Sequence, residues 1–146
     1  MLARELMTFS PVAAYPEDSI SHVARLMRDW DVGIVPVIDD PTTKRLVGVI
    51  TDRDIAVRCV APHEHVDCTV DAHMTATDLM TVYPETSVAE CERVMTRSQV
   101  RRLPVVDADG RLVGMLSFGD LVRHVDRARA AELLDTIAAI SQPVGV

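Results

Sequence analysis

The 146-residue sequence predicts a mixed α/β (α+β) protein, with two copies of a strand–helix–strand–strand–helix unit followed by a C-terminal helix. The main observation is an internal repeat whose segments return in the same order 68 or 66 residues later: Tyr15–Ile20 as Tyr83–Val88, Val35–Asp39 as Leu103–Asp107, and Leu46–Thr51 as Leu112–Ser117. A second is the pattern of short apolar runs and helix-spaced apolar residues within each copy. Since one such copy needs a neighbour to bury its apolar face, the repeat predicts pseudo-two-fold packing with a cleft between the copies.

The elements of the first copy follow from apolar spacing and turn residues. Ser19 is expected to cap a helix that runs to about Trp30, because apolar residues then recur at helical spacing. Two near-continuous apolar runs predict buried strands. In order, we expect a helix at 3–7, a strand at 12–15, the Ser19-capped helix, strands at 34–38 and 46–50, and a helix from 51 to 58.

The second copy repeats this order. Ser87 and Glu90 have the spacing of a capping box. We expect a strand at 81–83, a helix at 87–98, strands at 103–106 and 112–116, and a helix from 117. The domain boundaries predicted are 3–58 for the first copy, 59–71 for a linker, 72–125 for the second copy and 126–146 for a C-terminal helix and tail. The helix carries Leu133, Leu134, Ile137 and Ile140, which either pack on the body or form a dimer contact.

Composition limits the function classes. The net charge of −7 and the pI near 5.1 argue against nucleic-acid binding, which usually needs a basic surface. No apolar run approaches the roughly 18 residues of a membrane span. We therefore expect a cytoplasmic protein whose three cysteines are reduced thiols. With 3% aromatic residues the core must be aliphatic, and Cys91 is interpreted as a small buried hydrophobe.

Two acids at equivalent positions are the sharpest candidate binding residues. Thr51-x-x-Asp54 and Ser117-x-x-Asp120 each stand at a predicted helix start. A carboxylate can accept both hydroxyl groups of a ribose, and the free N–H groups of a helix start favour anions. The same spacing also fits a capping box, so the motif alone leaves both roles open.

Basic residues nearby are candidate phosphate contacts: Arg53, Arg58, Arg101, Arg102 and His124. Arg58 and His124 stand at equivalent positions, four residues after each acid, where an ordinary i,i+4 ion pair is the alternative. The first copy has Gly33 and Ile34 where the second has Arg101 and Arg102. This difference predicts a lopsided cleft whose positive charge comes mainly from the second copy. Gly33 itself permits either a close approach to a ligand or a turn that ends the preceding helix.

Two thiols and three imidazoles lie close together in the linker: Cys59, His63, His65, Cys68 and His73. These residue types can bind zinc, but their spacing matches no standard zinc finger, and a polar linker with incidental histidines is the simpler interpretation. The sequence contains no nucleophile elbow and no glycine-rich phosphate loop, and its acids repeat with the fold. We therefore expect no enzymatic activity.

The repeated landmarks resemble those of the CBS domain. Each copy has a proline before its helix, a proline inside its second strand, a glycine in its third strand and a Thr/Ser-x-x-Asp at its last helix. The tandem over about residues 3–125 is similar to a Bateman module. Thr51–Ile55 and Val100–Val105 resemble small stand-alone bacterial CBS pairs.

The resemblance implies a regulatory sensor that binds an adenosine-containing ligand between the repeats, such as AMP, ADP, ATP, NAD or an S-adenosyl compound. It implies that Asp54 and Asp120 hold the ribose. It also implies that backbone groups and an apolar wall for the base come from Gly33, Ile34, Val35 and Pro36, and from Leu103 and Pro104. A homodimer and an unidentified regulated protein are expected partners, and no cofactor is expected to be required. Two alternatives stay open: a zinc- or redox-responsive stress protein that uses the Cys59–His73 cluster, and a structural dimer with a closed cleft.

Overall fold

The computed structural model describes residues 1–63 and 68–140, apart from the side chain of residue 63. These residues belong to two compact units. The repeat-1 unit contains the described residues of Pro11–Leu79 and Asp109–Leu112, and the repeat-2 unit contains those of Met1–Ser10, Met80–Ala108 and Val113–Val146. Mixed helices and strands in this arrangement confirm the predicted fold class.

The strands of the repeat-1 unit form an antiparallel pair, β2 (Ile34–Ile38) and β3 (Leu46–Thr51). The strand predicted at 12–15 is reduced to a single parallel bridge. The Ala14 N–H donates to the Pro36 carbonyl at 2.9 Å, and the Ala14 carbonyl accepts from the Ile38 N–H at 2.9 Å. Because proline cannot donate, Pro36 takes part in this bridge only through its carbonyl.

The first long helix, α2 (Ile20–Trp30), begins and ends as its cap residues require. The Ser19 hydroxyl accepts from the His22 N–H at 3.1 Å, as predicted. The helix ends at Asp31 in the left-handed conformation, with φ of 51°. Asp31 therefore ends this helix, and the interpretation of Gly33 as the residue that ends it is wrong.

The second helical stretch of the repeat-1 unit is longer than predicted. It starts as α3 (Asp52–Asp54), continues as a π-helical segment (Ile55–Val60) and ends as α4 (Ala61–His63). The Ala61 N–H donates to the Ala56 carbonyl, the i→i−5 bond of a π-helix. The residues expected to open the linker therefore belong to a helix. A 3₁₀ turn, Val70–Ala72, follows further along.

The repeat-2 unit has a three-stranded sheet in the order β1 (Thr8–Phe9), β5 (Leu112–Ser117), β4 (Arg102–Val106). Thr8 pairs with Met115 in antiparallel register, so the N-terminal segment supplies an edge strand. As in the other unit, the predicted first strand is a single parallel bridge, here between Val82 and Val105.

In both units, a neighbouring Met-Thr segment passes close to the backbone of the third strand, which is β3 in one unit and β5 in the other. This explains why each of these strands contains a glycine. A Cβ on Gly114 would lie 2.5 Å from the Met7 sulfur and 3.0 Å from the Thr8 carbonyl oxygen. A Cβ on Gly48 would lie 2.8 Å from the Met74 sulfur and 3.0 Å from the Thr75 carbonyl oxygen. Met-Thr dipeptides thus play the same part in both units, and they are a repeated signal that the sequence comparison missed.

The helices of the repeat-2 unit are α1 (Ala3–Leu6), α5 (Val88–Ser98), α6 (Phe118–Val122) and α7 (Arg127–Ile140), and α1 corresponds to the helix predicted at 3–7. Only half of the capping box predicted for α5 forms. The Ser87 hydroxyl accepts from the Glu90 N–H at 3.2 Å, while the Glu90 carboxylate accepts from the Arg93 guanidinium at 2.7 Å. In α7, Leu133 is buried in the core and Leu134 is 54% exposed.

Each unit has its own core, and both are largely aliphatic, as predicted. Phe118 and Cys91 are buried in the repeat-2 core. Burial raises the pKa of the Cys91 thiol to about 11. Along residues 1–63 and 68–140, no helix combines the length and the apolar character that crossing a bilayer would require.

Candidate functional site

The first acid cluster, Thr51, Asp54 and Arg58, lies in the repeat-1 unit, at the start of the helix that follows β3. The Thr51 N–H donates to Asp54 Oδ2 at 3.0 Å, and the Asp54 N–H donates to Thr51 Oγ1 at 3.0 Å. The other carboxylate oxygen, Oδ1, lies 3.6 Å from Arg58 Nε. The Asp54 side chain is 13% exposed. The capping box is therefore real, and one carboxylate oxygen stands outside it.

The second acid cluster, Ser117, Asp120 and Arg123, repeats this arrangement in the repeat-2 unit. Asp120 Oδ2 accepts from the Ser117 N–H at 2.8 Å and from the Ser117 hydroxyl at 2.7 Å. The Asp120 N–H donates to Ser117 Oγ at 3.1 Å. Asp120 Oδ1 accepts from Arg123 Nη1 at 3.1 Å, and the side chain is 18% exposed.

In both clusters, the two oxygens of the carboxylate make different contacts. In each, Oδ2 closes the helix cap and fixes the orientation of the carboxylate, while Oδ1 faces an exposed arginine. An oxygen held in this way is a preorganised acceptor for hydroxyl donors of a ligand. Capping and ligand binding are therefore compatible roles for the same residue.

The arginine that faces the second acid is a residue that the sequence comparison missed. Arg58 and His124 were predicted to be equivalent partners, but Arg123 contacts Asp120 while His124 Nδ1 lies 2.8 Å from the Asp120 carbonyl oxygen. Since a carbonyl only accepts, Nδ1 carries the hydrogen. The His124 N–H donates to the Leu121 carbonyl, three residues back. This tight last turn brings the residue at i+3 over the acid, whereas the wide π-helical turn of repeat 1 brings the residue at i+4.

In each repeat, the loop before the second strand contacts the start of the helix that follows the third strand, which is also where the acid cluster lies. The Gly33 carbonyl accepts from the Asp52 N–H at 3.0 Å, and the Arg101 carbonyl accepts from the Phe118 N–H at 2.8 Å. A Cβ on Gly33 would lie 3.0 Å from Asp52 Oδ2, so glycine makes room for this carboxylate. The second unit has an exposed Arg101 and a buried Phe118 at the same two places.

The remaining predicted ligand residues divide by exposure. Arg53, Arg58, Arg102 and His124 are exposed, and Ile34 is half-buried. The side chains of Val35, Pro36, Leu103 and Pro104 are buried in their own units. These four can offer a ligand only their backbone, so the predicted apolar wall reduces to Ile34 among the named residues.

Part of the predicted cysteine and histidine cluster comes together in the repeat-1 unit. The Sγ atoms of Cys59 and Cys68 and a ring nitrogen of His73 all lie within 4.8 Å of one another. Neither cysteine is in a disulfide, and the Cys59 thiol lies 2.8 Å from the Cys68 sulfur. Burial, and then the hydrogen bond with Cys68, raise the pKa of the Cys59 thiol to about 11. The side chain of His63 and the whole of His65 lie outside the described residues.

Comparison with known proteins agrees with the repeat. A family model described as the CBS domain matches residues 3–60 and 70–127. The chain is 33% identical to the CBS domain-containing protein YhcV of Bacillus subtilis over 136 residues, which cover 92% of this chain and 94% of YhcV. It is 28% identical to Hypoxic response protein 1 of Mycobacterium tuberculosis over 94% of both chains. Inosine-5'-monophosphate dehydrogenase of Streptococcus pyogenes is 29% identical over 84% of this chain, but this region is only 24% of the enzyme's length.

Solved structures agree as well. Hypoxic Response Protein I, crystallised with two coordinated zinc ions, superimposes with a TM-score of 0.77 at 30% identity and covers 86% of this chain and 100% of its own. The CBS domain protein PAE2072 from Pyrobaculum aerophilum, complexed with AMP, has a TM-score of 0.77 at 30% identity and covers 92% of this chain and 99% of its own. The CBS domain pair of MJ0100, in complex with 5-methylthioadenosine and S-adenosyl-L-methionine, has a TM-score of 0.74 at 26% identity and covers 84% and 94%. With two matched copies and relatives over nearly its whole length, this chain belongs to the CBS domain family and consists of a tandem CBS pair.

Proposed function

We propose that the chain is a regulatory module that binds an adenosine-containing ligand through Asp54 and Asp120. Each acid would accept the hydroxyl groups of a ribose with the carboxylate oxygen that its capping box leaves outside. The predicted location of the ligand between the repeats stays a prediction.

The observation that carries this proposal is the fixed carboxylate of each acid cluster. Here both Oδ1 atoms face an arginine, at 3.6 Å in one unit and 3.1 Å in the other. A guanidinium beside a hydroxyl acceptor suits a nucleotide, because the arginine binds phosphate oxygens while the carboxylate binds the sugar.

The ligand class is supported by relatives. PAE2072 was crystallised with AMP, and the MJ0100 pair with 5-methylthioadenosine and S-adenosyl-L-methionine. These ligands share adenosine and differ in what is attached to its 5′ carbon. We propose that the second cluster binds anionic ligands more tightly, because Arg101 and Arg102 stand where the first repeat has Gly33 and Ile34.

The test is calorimetric titration with AMP, ATP, 5-methylthioadenosine and S-adenosyl-L-methionine, on the unaltered chain and on Asp54→Asn and Asp120→Asn. Asparagine keeps a carbonyl oxygen for the cap but loses the second acceptor. Hydrogen bonds to charged groups contribute about 1.5–3 kcal/mol, so each variant should weaken its site by about 10- to 150-fold. Asp120→Asn should have the larger effect on AMP.

Glu90→Gln is the matched control. Ser87, Glu90 and Arg93 have the same Ser-x-x-acid-x-x-Arg spacing at a helix start, but the Glu90 carboxylate does not close its cap. This variant should bind as the unaltered chain does. Absence of binding to all four ligands would contradict the proposed function, and tight binding that survives both aspartate changes would contradict the role of the acids.

We further propose that ligand binding acts on a partner protein by favouring one arrangement of the chain or of a homodimer. A ligand shifts such an equilibrium only by its differential affinity for the two states. Light scattering of the purified chain with and without saturating AMP measures the oligomeric state directly. A monomer under both conditions would remove the dimer from the proposal and leave nucleotide binding untouched.

A further inference from the structure

We propose that Cys59, Cys68 and His73 form a binding site for a thiophilic divalent metal ion, with zinc as the best fit. This zinc cluster lies within the repeat-1 unit and does not depend on nucleotide binding. Among the common divalent ions, zinc is one that binds well to thiolate and imidazole ligands, and this cluster offers two thiolates and one imidazole. Three protein ligands leave one coordination position for water or another small ligand.

The three ligand atoms lie close together, and the two sulfurs must move about 1 Å farther apart to take up the spacing of a tetrahedral site. With Zn–S near 2.3 Å and Zn–N near 2.0–2.1 Å, the ligand atoms of such a site lie about 3.5–3.8 Å apart. The three atoms here lie within 4.8 Å of one another, and the two sulfurs are 2.8 Å apart. Small side-chain rotations are therefore enough to surround an ion.

The backbone around the zinc cluster is held by bonds that do not involve the cluster itself. Cys59 lies on the π-helical segment and is fully buried. The Cys68 carbonyl accepts from the Ile20 N–H at 2.9 Å, at the start of α2. The His73 N–H donates to the Val70 carbonyl at 3.0 Å. Three ligands carried by separately anchored segments are preorganised, which lowers the entropic cost of binding an ion.

The duplicated half of the chain provides an internal comparison. The 66-residue offset aligns Cys59 with Val125, and the 67-residue spacing of the Met-Thr dipeptides at 7–8 and 74–75 aligns Cys68 and His73 with Met1 and Leu6. The backbone supports this alignment: the Met1 carbonyl accepts from the Val88 N–H as the Cys68 carbonyl accepts from the Ile20 N–H. All three counterparts are apolar. The fold therefore does not require polar residues at these positions, and the repeat-1 unit carries three possible zinc ligands where the repeat-2 unit carries three apolar residues.

A disulfide between Cys59 and Cys68 is the main rival. A disulfide would involve only the two sulfur atoms, whereas a metal ion would bind all three groups that the structure brings together. Disulfide formation also needs an accessible thiolate, and Cys59 is fully buried. Metal binding instead displaces the thiol protons directly.

The experiment uses the full chain, purified without a polyhistidine tag, reduced and stripped of metal. Titration with Co²⁺, followed by displacement with Zn²⁺, reports tetrahedral thiolate coordination through the visible spectrum of cobalt. We expect one equivalent of tetrahedral Co²⁺ per chain. We also expect release of about two protons per Zn²⁺ at neutral pH, because both thiols must deprotonate. Zinc affinity should therefore rise by up to about a hundredfold per pH unit.

Variants assign the ligands. Cys59→Ser, Cys68→Ser and His73→Gln should each weaken Zn²⁺ binding by more than the roughly 10- to 100-fold that loss of an outer-shell partner causes. Cys91→Ala and His22→Gln are matched controls, a buried thiol and an exposed imidazole outside the cluster, and should bind as the unaltered chain does. Circular dichroism checks folding, and His73→Gln changes a partly exposed residue, so it is expected to fold.

Three outcomes would overturn the proposal. The first is the absence of a tetrahedral cobalt spectrum from the reduced chain. The second is metal binding that persists in His73→Gln and is lost in His63→Gln or His65→Gln. The third is a reduced chain that oxidises to a Cys59–Cys68 disulfide in the presence of Zn²⁺, as shown by a thiol count that falls from three to one.

Discussion

The helix after the last strand of each repeat begins in the same way and continues differently. Both start with a capping box whose acid faces an arginine. In repeat 1 the helix then widens into a π-helical segment that carries Cys59. In repeat 2 it stops at Val122 and the chain turns into α7. The shared capping boxes serve the duplicated fold and the proposed ligand. The continuations differ, because one repeat has the helical segment of the proposed zinc cluster and the other has α7.

The largest expected effect concerns α7, which follows the corresponding helix of repeat 2, whereas the helical stretch of repeat 1 ends with the three-residue α4. Leu133 is 1% exposed and packs in the repeat-2 core. Leu133→Ala should lower the free energy of unfolding by about 2–5 kcal/mol, measured by urea denaturation. Leu134→Ala is the control and should cost much less, since Leu134 is mostly exposed. Equal losses in the two variants would show that α7 does not pack as described.

A smaller effect tests whether the two repeats share one constraint. Gly48→Ala and Gly114→Ala each place a Cβ 3.0 Å from a backbone carbonyl oxygen that cannot move aside easily. Both should lose about 1–3 kcal/mol of stability through overpacking. Gly119→Ala provides the contrast, because its Cβ would meet nothing closer than 3.6 Å and lies in a helix, where alanine is favoured by about 0.5–1 kcal/mol. A large difference between Gly48→Ala and Gly114→Ala would break the equivalence of the two sheets.

The smallest effect separates the buried thiols of the two repeats by pH. Cys59 and Cys91 both have a pKa raised from 9.0 to about 11 in the folded state. The unfolded chain therefore loses these protons first, and each thiol contributes stability that is complete below pH 9 and falls as the pH rises toward 11. Cys59→Val and Cys91→Val should each make the pH dependence of thermal unfolding shallower in this range. Zn²⁺ should abolish the contribution of Cys59 alone, and an equal effect of Zn²⁺ on both thiols would contradict the zinc cluster.

The sequence predicted strands and helices well wherever apolar pattern and capping acted locally. The strand Ile34–Ile38 was predicted to the residue, and the cap at Ser19 is confirmed. The capping boxes at Thr51 and Ser117 were anticipated, with ribose binding as their alternative role. These features depend on side chains and backbone within a few residues, which is the range that pattern analysis can read.

What the sequence could not predict depends on helical register and on distant contacts. Arg123 replaces His124 as the partner of Asp120 because the last turn of α6 is tight, and repeat alignment carries no information on such a turn. The first strand of each repeat shrinks to Ala14 or Val82, because a single bridge satisfies the neighbouring strand there. The sequence placed His73 among five candidate metal ligands but could not show that it lies beside both cysteines, because the 3₁₀ turn that positions it has no clear periodicity.

The N-terminal segment belongs to the repeat-2 unit, and this has a consequence for folding during synthesis. Residues Met1–Ser10 are translated before the residues they contact in the repeat-2 unit, since Thr8 pairs with Met115. Most of the repeat-1 unit is complete once Leu79 has left the ribosome, whereas the repeat-2 sheet waits for more than a hundred residues to close over its first strand. Such distant closure slows folding. A bulky fusion or a substitution near Thr8 should therefore delay the maturation of the second half of the chain, although the change lies at the start of the first.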